Sequence, residues 1–184
     1  MLRNSKEIFD ILSKGKFISI NSTDPAVKKY FEFLEENFEE YAEYYRGIGF
    51  QLCGGDGYWY FSRNEAKVDI QRKLDRMATW IDIMDFLKTF NPGFANGFEF
   101  TAADISVRFR SDMELKDKAQ SLFKNKKTYD EIVDKLIDEL SSMGFIELIN
   151  EIDMTYRVTS AFHYMEEAID CFVINEEGKD EVLE

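Results

Sequence analysis

Gly47-Ile48-Gly49-Phe50-Gln51-Leu52-Cys53-Gly54-Gly55-Asp56-Gly57-Tyr58-Trp59-Tyr60-Phe61 is the stretch that decides the fold. Two short runs of β-formers, Phe50 to Leu52 and Tyr58 to Phe61, flank the glycine-rich turn Cys53 to Gly57, a pattern that predicts a hairpin. Just upstream, Val27, Tyr30, Phe31, Leu34, Phe38, Tyr41, Ala42 and Tyr45 recur at spacings of three and four. That spacing predicts one long helix over Asp24 to Arg46, closed by Gly47 and Gly49. Asp24-Pro25 supplies its N-cap and first-turn proline. Further back, Ile8, Ile11 and Leu12 mark a short opening helix ended by Gly15. Phe17 to Ile20 reads as a short strand.

The same order returns downstream. Ile70, Leu74, Met77, Ala78, Ile81, Met84 and Leu87 predict one buried face of a helix from about Lys67 to Phe90, stopped by Asn91-Pro92-Gly93. Phe98 to Phe100 reads as extended. Thr101 to Asp104 then resembles a capping box opening a short helix. A basic connector follows from Arg108 to Lys127, with seven basic and three acidic side chains. Thr128 to Glu131 is a second capping box, opening a helix with Ile132, Val133, Leu136, Ile137, Leu140 and Met143 inward. Gly144 ends it. Phe145 to Ile149 and Tyr156 to Val158 form another hairpin, and a last helix runs from Ala161 to about Phe172.

Helix, short strand, helix and two-stranded wing, given twice, predict an α+β, mainly α fold of tandem winged-helix domains with small β-hairpin wings. The first domain spans 5–63, the second 64–172 with its C-terminal helix, and 173–184 is expected as a disordered acidic tail.

Composition narrows the function. The 184 residues are 45% hydrophobic and 15% aromatic, enough apolar material for a core. With 36 acidic and 23 basic side chains the net charge is −13. A protein gripping duplex DNA would normally carry the opposite sign, whereas acidity suits a basic protein partner. No signal core or membrane-length apolar run is present, and the expected location is cytoplasmic. Cys53 and Cys171 are the two cysteines and stand far apart in sequence, so neither a metal site nor a disulfide framework is expected. His163, the one histidine, reads as an ordinary residue at a helix start. No cofactor and no catalytic residue are assigned.

Three surfaces remain as candidates. Tyr58, Trp59, Tyr60 and Phe61 put aromatics on both faces of a strand. One face belongs to the core, and the other is either packed as well or open to a partner. Glu32, Glu35, Glu36, Glu39, Glu40 and Glu43 form either a solvated helix face or a contact for a basic partner. Lys124, Lys126 and Lys127 precede the helix that a DNA-reading winged helix would insert. That helix carries Asp130, Glu131, Asp134, Asp138 and Glu139 against one lysine, Lys135. Groove reading is therefore disfavoured, leaving backbone contact by the lysines.

Ile11 to Ile18, Tyr30 to Glu36 and Gly57 to Phe61 resemble the first winged-helix domain of the MukE family and its relative MksE. Met143-Gly144-Phe145, Tyr156 to Thr159 and Phe162 resemble the second wing of that family. The likeness spans about Ile8 to Asp170, and the absence of MukE's longer C-terminal extension favours the MksE-like branch. The resemblance implies a non-enzymatic, nucleoid-associated, dimerising subunit that binds the kleisin of an SMC ATPase complex. In such complexes ATP chemistry belongs to the SMC partner, and their roles include chromosome organisation and action against plasmids. The alternative is a winged-helix transcription regulator.

Overall fold

Both helix–glycine–aromatic junctions close in the same way. In the computed structural model, which describes residues 2–62, 67–123 and 128–180 (side chains over 2–62, 75–123 and 128–171), Gly49 and Gly144 take φ of 86° and 82°. The Phe50 N–H donates to the Tyr45 carbonyl at 3.0 Å, and the Phe145 N–H to the Leu140 carbonyl at 2.9 Å. Gly49 and Gly144 each donate to the carbonyl three residues back, which completes a Schellman cap twice. A Cβ on Gly144 would meet only the Phe17 nitrogen at 3.8 Å, an ordinary contact. Gly144→Ala should therefore cost about 1–2 kcal/mol through the left-handed backbone alone, read as a lower urea midpoint with an unchanged m-value.

Each cap feeds a hairpin. The first unit runs α1 (Ser5–Leu12), β1 (Ile18–Ser19), α2 (Pro25–Glu36), α3 (Phe38–Arg46), β2 (Gln51–Gly55) and β3 (Tyr58–Ser62). The second runs α4 (Lys67–Phe90), β4 (Glu99–Thr101), α5 (Ala102–Ser111), α6 (Met113–Leu122), α7 (Tyr129–Met143), β5 (Ile146–Asn150), β6 (Thr155–Val158) and α8 (Phe162–Asp180). The result is a mixed fold of helices around two small antiparallel sheets, ordered β1-β3-β2 and β4-β6-β5. In each, the strand before the helices pairs with the second strand of the hairpin, as in Ile18↔Trp59 and Phe100↔Tyr156.

Several expectations need correction. The long helix over Asp24 to Arg46 is two helices. Asn37 leaves helical geometry at φ −133°, ψ 36°, and its side-chain amide donates to the Phe33 carbonyl at 3.2 Å. The turn of the first hairpin is also tighter than Cys53 to Gly57. Gly54 and Gly55 belong to β2, paired with Trp59 and Tyr58, so only Asp56 and Gly57 bridge the strands. A Cβ on either strand glycine would overlap the ring of its partner, so the two glycines act as seats for aromatic side chains.

Among the described residues, the stretch read as a basic connector is the end of α5 and all of α6, and two of its cations are paired. Lys118 Nζ lies 2.8 Å from Asp85 and 3.1 Å from Glu114, and Arg108 lies 3.3 Å from Asp112. Both predicted capping boxes are present, Thr101 with Asp104 and Thr128 with Glu131. On α4 the buried stripe is Trp80, Ile83, Phe86 and Leu87; of the predicted face Leu87 is buried and Met77 and Met84 pack against the core, Ala78 is exposed, and the side chains of Ile70 and Leu74 lie outside the described residues. Apolar residues lie all round this helix, and the bulkier aromatic stripe takes the core. The backbone of α8 stays helical to Asp180, past Phe172 where the apolar spacing fades.

Two cores result, one per unit, and β3 stands between them. Trp59 belongs to the first core and Phe61 packs against it. Tyr58 belongs to the second, where Tyr60 packs. Strand alternation alone produces this division.

Candidate functional site: a cleft between the two units

The two units are clasped by the turn after β1. Asn21 donates through Nδ2 to Asn96 Oδ1 at 2.9 Å and to the Val158 carbonyl at 3.1 Å. Its Oδ1 accepts from the Ser160 N–H at 2.8 Å and from the Ser160 hydroxyl at 3.1 Å. Glu147 on β5 accepts from the Ser22 hydroxyl at 2.7 Å and from the Thr23 N–H and hydroxyl at 2.5 and 2.9 Å. Phe17 closes the seam, its ring 5.4 Å from Phe145 and 5.1 Å from Tyr164. The Tyr58 hydroxyl donates to Glu167 at 2.9 Å.

Beside this clasp a cleft of about 530 Å³ opens between the units. The end of α1, the edge of β3 and the faces of α4, α7 and α8 bound it. Phe17, Tyr60, Trp80 and Tyr164 line it, and Lys14, Lys16 and Arg76 bring three positive charges to it. Glu139 is the one acid among the described lining residues, and Lys135 holds its carboxylate at 2.6 Å. Gly15, at φ 77°, turns the chain out of α1 so that Lys14 and Lys16 flank the opening. Burial raises the Tyr60 phenol to about 12, helped by the nearby Cys53 and Tyr164. Tyr58 is raised further, first by burial and then by its bond to Glu167. Both phenols are neutral donors at ordinary pH. No histidine or cysteine is among the described lining residues.

The four aromatic candidates of β3 divide. Tyr58 and Trp59, 1% and 8% exposed, are spent on the two cores, while Tyr60 and Phe61 reach the cleft. Lys124, Lys126 and Lys127 lie outside the described residues. The glutamates at 32, 35, 36, 39, 40 and 43 are all exposed. His163 sits at the start of α8 with Nδ1 3.2 Å from Glu166, which also binds Lys88 at 3.1 Å. Sequence reasoning missed Lys14, Lys16, Arg76 and Trp80 as one group. The available signal was Lys14-Gly15-Lys16, a doubled positive charge at a helix end in an acidic chain.

Among the described residues no helix is long and apolar enough to cross a membrane. Fold and cleft define a mixed α/β protein of helices around two small antiparallel sheets. Within that class the chain belongs to the MksE family: residues 3–169 match the family described as condensin complex protein MksE. No curated protein gives a significant match.

Proposed function

We propose that the two units are winged-helix domains in tandem, and that the chain is the kleisin-binding, non-catalytic subunit of an SMC condensin-type complex that organises or segregates chromosomal DNA. The observation that carries this reading is the family match over residues 3–169. The element order supports it, since each unit has a helix, a strand, further helices and a two-stranded wing, with α6 as an insertion in the second. On this reading the subunit is cytoplasmic and nucleoid-associated, dimerises, and reaches the SMC ATPase through the kleisin. The cleft is the proposed kleisin seat.

Direct reading of a DNA groove is disfavoured by the helices that would do it. On α3 the exposed positions include Glu39, Glu40 and Glu43, and on α7 they include Asp130, Glu131, Asp134 and Asp138. Phosphates would be repelled by both. Lys124, Lys126 and Lys127 stay as proposed backbone contacts. Changing all three to glutamate should weaken DNA binding at low salt while kleisin capture is unchanged, measured by gel shift and pull-down on the same preparation.

Affinity purification from the native cell at near-physiological salt tests the whole reading. Kleisin and an SMC ATPase should co-purify with the chain. Recovery of neither, together with tight binding to a defined DNA site, would replace this function with that of a transcription regulator.

A further inference from the structure

Lys14, Lys16 and Arg76 face the cleft of a chain whose net charge is −13. Mixed surface charge would scatter cations, yet here three meet around four aromatic rings. The one described acid of the lining is already engaged by Lys135. Trp80, 6% exposed, forms part of the wall.

We infer that this cleft holds an extended acidic segment of the partner protein, with carboxylates on Lys14, Lys16 and Arg76 and an aromatic or aliphatic side chain among Phe17, Tyr60, Trp80 and Tyr164. The inference rests on the partner reading above and adds the chemistry of what is bound.

Size and charge select this occupant over nucleic acid. About 530 Å³ takes a few side chains, not a duplex. A single strand would carry a charge on every phosphate, more than the three cations among the described lining residues would meet. A peptide can alternate charged, apolar and neutral groups to match a lining that does the same. The neutral phenol of Tyr60 adds a donor for it and no repelling charge.

The test uses the full chain with its co-purified partner. Ser13, which lines the cleft beside Lys14, is replaced by the photo-crosslinking amino acid p-benzoylphenylalanine, the complex is irradiated, and the linked segment is read by mass spectrometry. The expected product is a partner segment with an excess of Asp and Glu around an aromatic or aliphatic residue. A retained partner with cross-links to a basic or neutral segment, to nucleic acid or to nothing would overturn the inference and leave the partner reading standing. Loss of the partner from unaltered protein would overturn both.

Charge-reversed chains give the second arm. Lys14→Glu with Lys16→Glu should weaken partner retention about tenfold or more, with the loss growing smaller as salt rises and the melting temperature unchanged. Full retention by the double charge reversal would overturn the inference.

Discussion

Phe145→Ala is expected to lower the unfolding free energy by about 3–5 kcal/mol, the range for deleting a fully buried aromatic ring. Phe145 is 0% exposed, and its ring meets Phe17 at 5.4 Å, Trp80 at 5.5 Å and Phe162 at 6.4 Å. These neighbours come from the first unit, from α4 and from α8. No single element can move to refill the space, which places the cost at the upper part of the range. Its backbone N–H also holds the Schellman cap of α7, but alanine keeps that bond, so the loss measures packing alone. Urea unfolding followed by circular dichroism would read the effect. A cost below about 1 kcal/mol would mean that the seam collapses around the gap.

The second large effect is expected at Asn21. Asn21→Ala removes four hydrogen bonds and leaves the Ser160 N–H, in a residue only 1% exposed, without its acceptor. Stranding one such donor costs about 1–3 kcal/mol, so a total near 2–3 kcal/mol is expected. Asn21→Asp makes the sharper comparison. It keeps acceptors for Ser160 but turns an oxygen toward Asn96 Oδ1 and the Val158 carbonyl, where the amide donates at 2.9 and 3.1 Å. Aspartate should therefore restore little. Recovery of full stability by aspartate would show that the donor side of the clasp is dispensable. A double-mutant cycle between Asn21→Ala and Glu147→Ala should be non-additive, because both side chains hold the same turn to the second unit.

Much of this architecture was legible from local chemistry. Asp24 accepts from the Ala26 N–H at 2.8 Å, Thr101 and Thr128 close their boxes, and Gly49 and Gly144 reverse the chain at the predicted places. Each of those signals acts within five residues. What escaped was decided by packing that spacing alone does not encode. The break at Asn37 leaves the three-and-four spacing intact, so the periodicity passes over it. Gly54 and Gly55 read as loop until the rings of Tyr58 and Trp59 are laid across them. The inward side of α4 was settled by what Trp80, Ile83 and Phe86 fit against.

The cleft is the extreme case. Lys14, Tyr60, Arg76, Glu139 and Tyr164 come from five elements or their ends, and no spacing rule connects them. The aromatic strand was found, yet its division was not, because alternation says that the faces differ without saying that both are claimed by cores.

That division gives β3 a consequence for chain connectivity. A strand that serves as wall to both cores belongs to neither half alone, and the clasp at Asn21 and Glu147 binds the halves without using the peptide link between Ser62 and Lys67. Cutting the chain there should leave two fragments that stay together through gel filtration and melt in one step. Expressed separately, each would expose half of a shared wall and find its fold only in the company of the other.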